Sequence, residues 1–183
     1  MLTNYPEKFE SENALEEAIS RPSIALIELM KNLKGDLIFL GVAGKIGISM
    51  ARMAKRACLE ANVAKRIIGV SRFSDINARK FLEESGIETL KGDLVERDFI
   101  ESLPEIENVI YLAGMKFGTA ENQPYTWAMN SYLPGLVADK FKKSRILAFS
   151  TGCVYPFVDI KSGGSKETDF TGPVGEYSQS CLG

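Results

Sequence analysis

The chain has 183 residues, 45% of them hydrophobic and 25% charged, with a net charge of -2. That is enough apolar material for one globular core, and the charge balance leaves no basic footprint for nucleic acid. No apolar run approaches a membrane span, and the leading MLTNYPEKFESEN holds no secretory apolar segment, so the expected compartment is the cytoplasm, with no membrane partner. Histidine is absent, and Cys58, Cys153 and Cys181 are widely spaced without a C-x-x-C pair. This argues against a disulfide framework, a structural zinc site and every histidine-based catalytic arrangement, and leaves acid-base chemistry to Tyr, Lys, Cys or carboxylates.

In chain order, residues 1–34 read as an N-terminal helical extension. Asn13 with Glu16 resembles a capping box opening the first helix, and Pro22 suits the first turn of a second one that Gly35 ends. From Asp36 the pattern alternates strand and helix. Strands are predicted at 36–41, 66–71, 87–90, 107–112 and 145–150, and helices at 45–62, 75–85, 96–102 and 123–142. Most of the strands are near-continuous apolar runs, including Arg145-Ile-Leu-Ala-Phe-Ser150, as a sheet covered on both faces requires. The predicted class is α/β: a doubly wound parallel sheet, or Rossmann fold, spanning 35–183 and acting as an NAD(P)-binding domain. Residues 155–175, rich in Gly, Pro, Ser and Thr, read as a long loop.

The first strand runs into Gly41-Val-Ala-Gly44-Lys-Ile-Gly47. Three glycines with Lys45 and Ile46 between them suit a tight turn, close backbone approach to a pyrophosphate, and a helix packed hard on the sheet. Free N–H groups and the helix dipole would face the anion. The spacing is G-x-x-G-x-x-G, so glycines serving packing alone are the competing reading. A phosphate-binding P-loop is a poorer reading, because Lys45 follows Gly44 but Ile46 stands where Ser or Thr should hold magnesium.

In such folds the ligand sits beyond the carboxyl ends of the strands. After the second strand, Ser71-Arg72 replaces the acidic residue expected for NAD, which favours NADP, with NAD possible: a neutral residue and a fork-shaped cation suit a 2′-phosphate. Alternatively Arg72 is a solvated loop residue, with Asp75 within reach as a partner. Asp93, followed by Leu94, could accept the adenine amine or cap a turn. Ala113-Gly114-Met-Lys116 follows the fourth strand; Lys116 could bind a cofactor ribose or pyrophosphate, or lie exposed.

The order Gly41-x-x-Gly44-x-x-Gly47, Gly92-Asp-Leu94, Val109-Ile-Tyr-Leu-Ala-Gly-Met-Lys116, Asn130, Ser150-Thr-x-x-Val-Tyr155, Glu167-Thr-Asp169 and Tyr177 resembles the extended short-chain dehydrogenase/reductase family of nucleotide-sugar epimerases and dehydratases over residues 36–183. The resemblance implies a nucleotide-sugar or related polyol substrate, hydride exchange with NAD(P), and a homodimer. It places Thr151 at the substrate-binding hydroxyl, Tyr177 at the acid-base position, and Asn130 where a helix asparagine steadies the active-site backbone. It also implies that related chains continue well past this point into a substrate lobe, so that this stretch would bind cofactor with little turnover.

One position departs from the family. Cys181 stands four residues after Tyr177, where lysine belongs. A tyrosine of ordinary pKa, about 10, needs a nearby cation to act as a base, and a thiol provides none. Lys116, or a residue outside this chain, would have to substitute. The alternative function is a non-catalytic NADP-binding sensor or structural protein of the same fold. Gly152 and Cys153 replace the acidic pair that the family's dehydratases carry, so epimerisation or simple reduction is favoured over dehydration.

Overall fold

The computed structural model describes residues 6–183; the first five residues of the predicted N-terminal extension lie outside them. Five parallel strands, β1 (Leu37–Leu40), β2 (Ile67–Ser71), β3 (Glu88–Lys91), β4 (Asn108–Tyr111) and β5 (Arg145–Ala148), lie in the order β3-β2-β1-β4-β5. Leu37 pairs with Ile67 on one side and Asn108 on the other. The strand order therefore reverses at β1, and a crevice opens beside its carboxyl end.

Period-two alternation assigns the core. Leu37 and Phe39 point to one face, packed under α2 (Ile24–Asn32) and α3 (Gly47–Glu60). Ile38, Leu40, Ile68, Val70 and Val109 point to the other, against α5 (Arg97–Ser102) and α7 (Leu133–Lys140). Here α3 presents Ala51, Ala54 and Ala57, small residues that bring the helix close to the sheet. The remaining helices are α1 (Glu12–Ile19), α4 (Ile76–Glu84), α6 (Gln123–Trp127) and α8 (Gly175–Leu182). Among the described residues no helix is long and apolar enough to cross a membrane.

Four details differ from the sequence reading. The cap of α1 is Ser11, which accepts from the Ala14 amide at 3.1 Å. Glu16 is drawn away from any capping box by tertiary partners: it accepts from Ser49 Oγ at 2.6 Å and from Arg52 at 3.1 Å. Pro22 precedes the cap of α2, Ser23, instead of sitting inside the first turn. The predicted helix 123–142 is broken by a π-turn, Ala128–Tyr132, between α6 and α7. Pro134 has no N–H to return to the Asn130 carbonyl, which permits the wider register there. Finally, β5 is not covered on both faces: Ile146 is 39% and Leu147 56% exposed.

Candidate functional site

The glycine turn divides three tasks among three residues. Gly41 sits at φ +89°, and a Cβ there would come within 2.8 Å of the Ala113 nitrogen on the β4 exit. Gly41 and Val42 both donate to the Val70 carbonyl, fastening the turn to β2. Gly47, buried at the first turn of α3, approaches the Val42 carbonyl so closely that a Cβ would lie 2.9 Å from Val42 Cα. Gly44 is different: it is exposed, and its Cβ would meet only the Gly41 carbonyl, at 3.2 Å. Packing explains Gly41 and Gly47, while open access explains Gly44.

The helix that follows starts without a side-chain cap, at Ile46. Its first amides therefore have no side chain to satisfy them, and together with the helix dipole they form a site for an anion. These residues fit a dinucleotide pyrophosphate. Lys45 lines a separate depression between α1 and α4, with Glu12 and Asp75.

Two adjoining clefts meet at Leu112, Ala113 and Gly114, beyond the ends of β1 and β4. One, of about 470 Å³, runs from the glycine turn past Ser71 and Arg72 to Gly92 and Asp93. The other, of about 490 Å³, holds Ile46, Lys116, Asn130, Tyr177 and Cys181. All of the predicted positions except Lys45, Gly47 and Thr151 thus line one continuous crevice, although Leu94 contributes mainly to the core, being 5% exposed.

At the first end, Arg72 is not paired with Asp75, whose carboxylate instead caps α4 by accepting from Asn77. Arg72 Nη1 donates to the Tyr125 hydroxyl at 3.2 Å and lies 3.8 Å from Asp93 Oδ2. The other carboxylate oxygen of Asp93 accepts from the Val95 amide at 3.2 Å, so the turn-capping role is occupied while one oxygen still borders the cleft.

At the second end, the π-turn places Asn130 between the loop after β4 and α8. Its Oδ1 accepts from the Met115 amide at 2.7 Å, and its Nδ2 donates to the Met115 carbonyl and to Ser180 Oγ, both at 2.9 Å. Ser180 Oγ in turn donates to the Tyr177 carbonyl. Ser131 donates to the Ser180 carbonyl, and Trp127 Nε1 to Glu176. Asn130 thereby ties the strand exit that carries Lys116 to the helix that carries Tyr177. Sequence reasoning singles out neither Ser180 nor Ser131; the three-residue spacing that puts Ser180 on the turn above Tyr177 is a signal for Ser180 alone.

Thr151 and Cys181 are the neighbouring side chains that act on the Tyr177 phenol. Thr151 itself caps a short 3₁₀ turn, Gly152–Val154, by accepting from the Cys153 amide. Burial pushes the Tyr177 phenol above its ordinary value, a hydrogen bond from Thr151 opposes that, and Cys181 adds to the rise. Burial also raises the Cys181 thiol, against a lowering hydrogen bond from Tyr177. A neutral thiol thus stands where a cation would favour the phenolate. Lys116 lines the same cleft, with Nζ 5.7 Å from the centre of the Phe117 ring.

No family model matches the chain, and no curated protein does. Solved structures do match. ADP-L-glycero-D-manno-heptose-6-epimerase from Helicobacter pylori is 16% identical, with a TM-score of 0.67 over 83% of this chain and 49% of the other. UDP-glucuronic acid 4-epimerase from Bacillus cereus, solved in complex with NAD, is 18% identical, with a TM-score of 0.64 over 80% and 48%. MoeE5, solved with UDP-glucose and NAD, is 19% identical, with a TM-score of 0.65 over 81% and 46%. The chain spans about half the length of each of these structures. At these identities the likeness is one of fold: the parallel five-stranded sheet and its flanking helices share the Rossmann-like architecture of these structures.

Proposed function

We propose that this chain is the cofactor-binding part of an extended short-chain dehydrogenase/reductase that epimerises or reduces a nucleotide sugar or related polyol, with NADP as the preferred cofactor. The observation that carries the proposal is the continuity of the crevice. An uncapped helix end and a glycine turn at its centre lead to Arg72 on one side and to Tyr177 on the other. The UDP-sugar ligands and NAD of the matched structures support a nucleotide-sugar substrate and a nicotinamide dinucleotide, and the preference for NADP rests on Ser71 and Arg72.

When bound, the nicotinamide would accept and return a hydride at a sugar carbon. The residues of this chain do the rest. Tyr177 exchanges the proton of the reacting hydroxyl, and Thr151, which acts to lower the pKa of that phenol, favours the phenolate. Asn130 holds the Met115 backbone and α8 at a fixed spacing, so that Lys116 and Tyr177 border one space. The cation that replaces the family lysine is assigned to Lys116 on this ground.

The test is to incubate the protein with NADP⁺ or NAD⁺ and a panel of UDP- and ADP-sugars, following absorbance of the reduced cofactor and sugar interconversion by NMR. Loss of interconversion in Tyr177→Phe, with cofactor binding retained, is expected. Equal rates in the parent and Tyr177→Phe would remove the acid-base role.

A second reading has its own observation. The thiol of Cys181 beside Tyr177 leaves the phenol raised, which suits a non-catalytic NADP-binding sensor. Tight dinucleotide binding with no turnover on any sugar would select it.

A further inference from the structure

Arg72 is held by more than its own loop. It leaves β2, Asp93 leaves β3, and Tyr125 comes from α6, three elements that meet where the adenosine end of a dinucleotide would lie. Both contacts use the same nitrogen: Nη1 donates to Tyr125 Oη at 3.2 Å and approaches Asp93 Oδ2 at 3.8 Å. Among the described residues, Nε and Nη2 have no hydrogen-bond partner, so the edge of the guanidinium that binds a phosphate or carboxylate bidentately is the edge left open. The residue after Arg72 is also constrained. Phe73 is 3% exposed and adopts φ +46°, a conformation that costs a bulky residue energy and is seen mainly where the chain must be aimed. Burying Phe73, with Arg79 stacked 6.0 Å above its ring, keeps Arg72 outside the core while fixing where its backbone leaves the strand.

We infer that Tyr125 is a positioning residue for cofactor choice: its hydroxyl anchors Nη1 so that the Nε/Nη2 edge of Arg72 is presented to a phosphate monoester on the adenosine ribose. A side chain 60% exposed would otherwise sample many rotamers, and fixing it beforehand spares that ordering cost on binding. Asp93 limits the effect from the other side. Its carboxylate repels a dianion that sits too deep, so the phosphate is held at the rim while the adenine lies within.

The inference rests on the proposal that the crevice takes NADP, and the experiment separates the two. Dissociation constants for NADPH and NADH are measured by cofactor fluorescence on the parent, Arg72→Ala, Tyr125→Phe and Tyr125→Leu, with thermal unfolding recorded for each. Arg72→Ala is expected to lose roughly 10- to 100-fold in NADPH affinity, the range of charge-assisted hydrogen bonds. Tyr125→Phe keeps the ring and is expected to lose about 3- to 10-fold for NADPH and less than about 2-fold for NADH, as ordering one long side chain predicts. Tyr125→Leu, the second variant should Phe fail to melt cooperatively, carries the same expectation. If Arg72→Ala loses NADPH selectively while both Tyr125 variants bind like the parent, the positioning role is overturned and the NADP reading stands. Equal losses for both cofactors in the Tyr125 variants make Tyr125 a structural support and likewise overturn it. If the parent prefers NADH, or Arg72→Ala changes nothing, the NADP reading falls and the inference with it.

Discussion

Replacing Gly47 by alanine tests whether the glycine turn is built by packing. The new Cβ would overlap the Val42 carbonyl group, which belongs to the backbone and cannot rotate away, and would lie 2.9 Å from Val42 Cα against about 3.4 Å for an ordinary contact. Relief requires α3 to slide off β1, and α3 carries Ala51, Ala54 and Ala57 into the core. Overpacking of this kind costs about 1–3 kcal/mol, and the gain in helix propensity from removing a glycine returns less than ~1 kcal/mol at a helix end. A net loss of about 2 kcal/mol, with unfolding entropy near ~2.1 cal/mol/K per residue, lowers Tm by roughly 5 °C for a chain of this size. Gly44→Ala is the control. Its Cβ meets one carbonyl at 3.2 Å on an exposed face, so Tm should fall by less than about 2 °C, while a methyl group at the pyrophosphate position lowers dinucleotide affinity roughly 10-fold or more. Thermal unfolding by circular dichroism and fluorescence titration with NADPH and NADH measure the two effects. A Tm for Gly47→Ala within 1–2 °C of the parent, on the same scale, would refute the packing argument. Unchanged affinity in Gly44→Ala would return the whole motif to a structural role.

Three other outcomes are expected. Glu16 and Arg52, 19% and 14% exposed, join α1 to α3, and Arg52 also stacks 4.6 Å above the Phe81 ring. Arg52→Met should lower stability in urea by about 1–3 kcal/mol by leaving a half-buried carboxylate, and Glu16→Gln in the same background should recover part of it; additive losses would count against the coupling. Cys58, Cys181, Tyr177 and Tyr111 all have acidities weakened chiefly by burial. Each is a group whose folded pKa lies above its unfolded value, so its contribution is full below the unfolded pKa and declines as pH rises through the folded one. Urea midpoints should therefore fall from about pH 8.5 upward, with the first part of the fall reduced in Cys58→Ala; a flat profile to pH 10.5 or so would contradict the burial argument. Cys181→Lys places a cation beside Tyr177 in exchange for a thiol, and should move one tyrosine titration toward neutral pH when ionisation is followed by ultraviolet absorbance. No early-titrating tyrosine in that variant would mean that the helix does not bring residue 181 to bear on the phenol.

The parallel sheet was legible because β1, β2 and β4 are short apolar runs bounded by turns, and the crevice was legible because glycines and polar residues cluster just after those strands. The cap of α1, the π-turn and the exposed β5 were not. Glu16 has the spacing of a capping box and is taken by Ser49 and Arg52, more than 30 positions away. The run at Ile146-Leu147 has the composition of a covered strand, yet no pattern of side chains says whether a neighbour will cover it. Arg72 and Tyr125 are 53 positions apart, and nothing local in either marks the other. By itself the sequence determined the order of strands and helices and the place of the glycine turn, because backbone sterics and hydrophobic periodicity act over a few residues. Only the tertiary structure decided which donor meets which acceptor: Arg72 with Tyr125, and Asn130 with Met115 and Ser180. Those pairings depend on how the crossovers bring separate strand ends to one edge of the sheet.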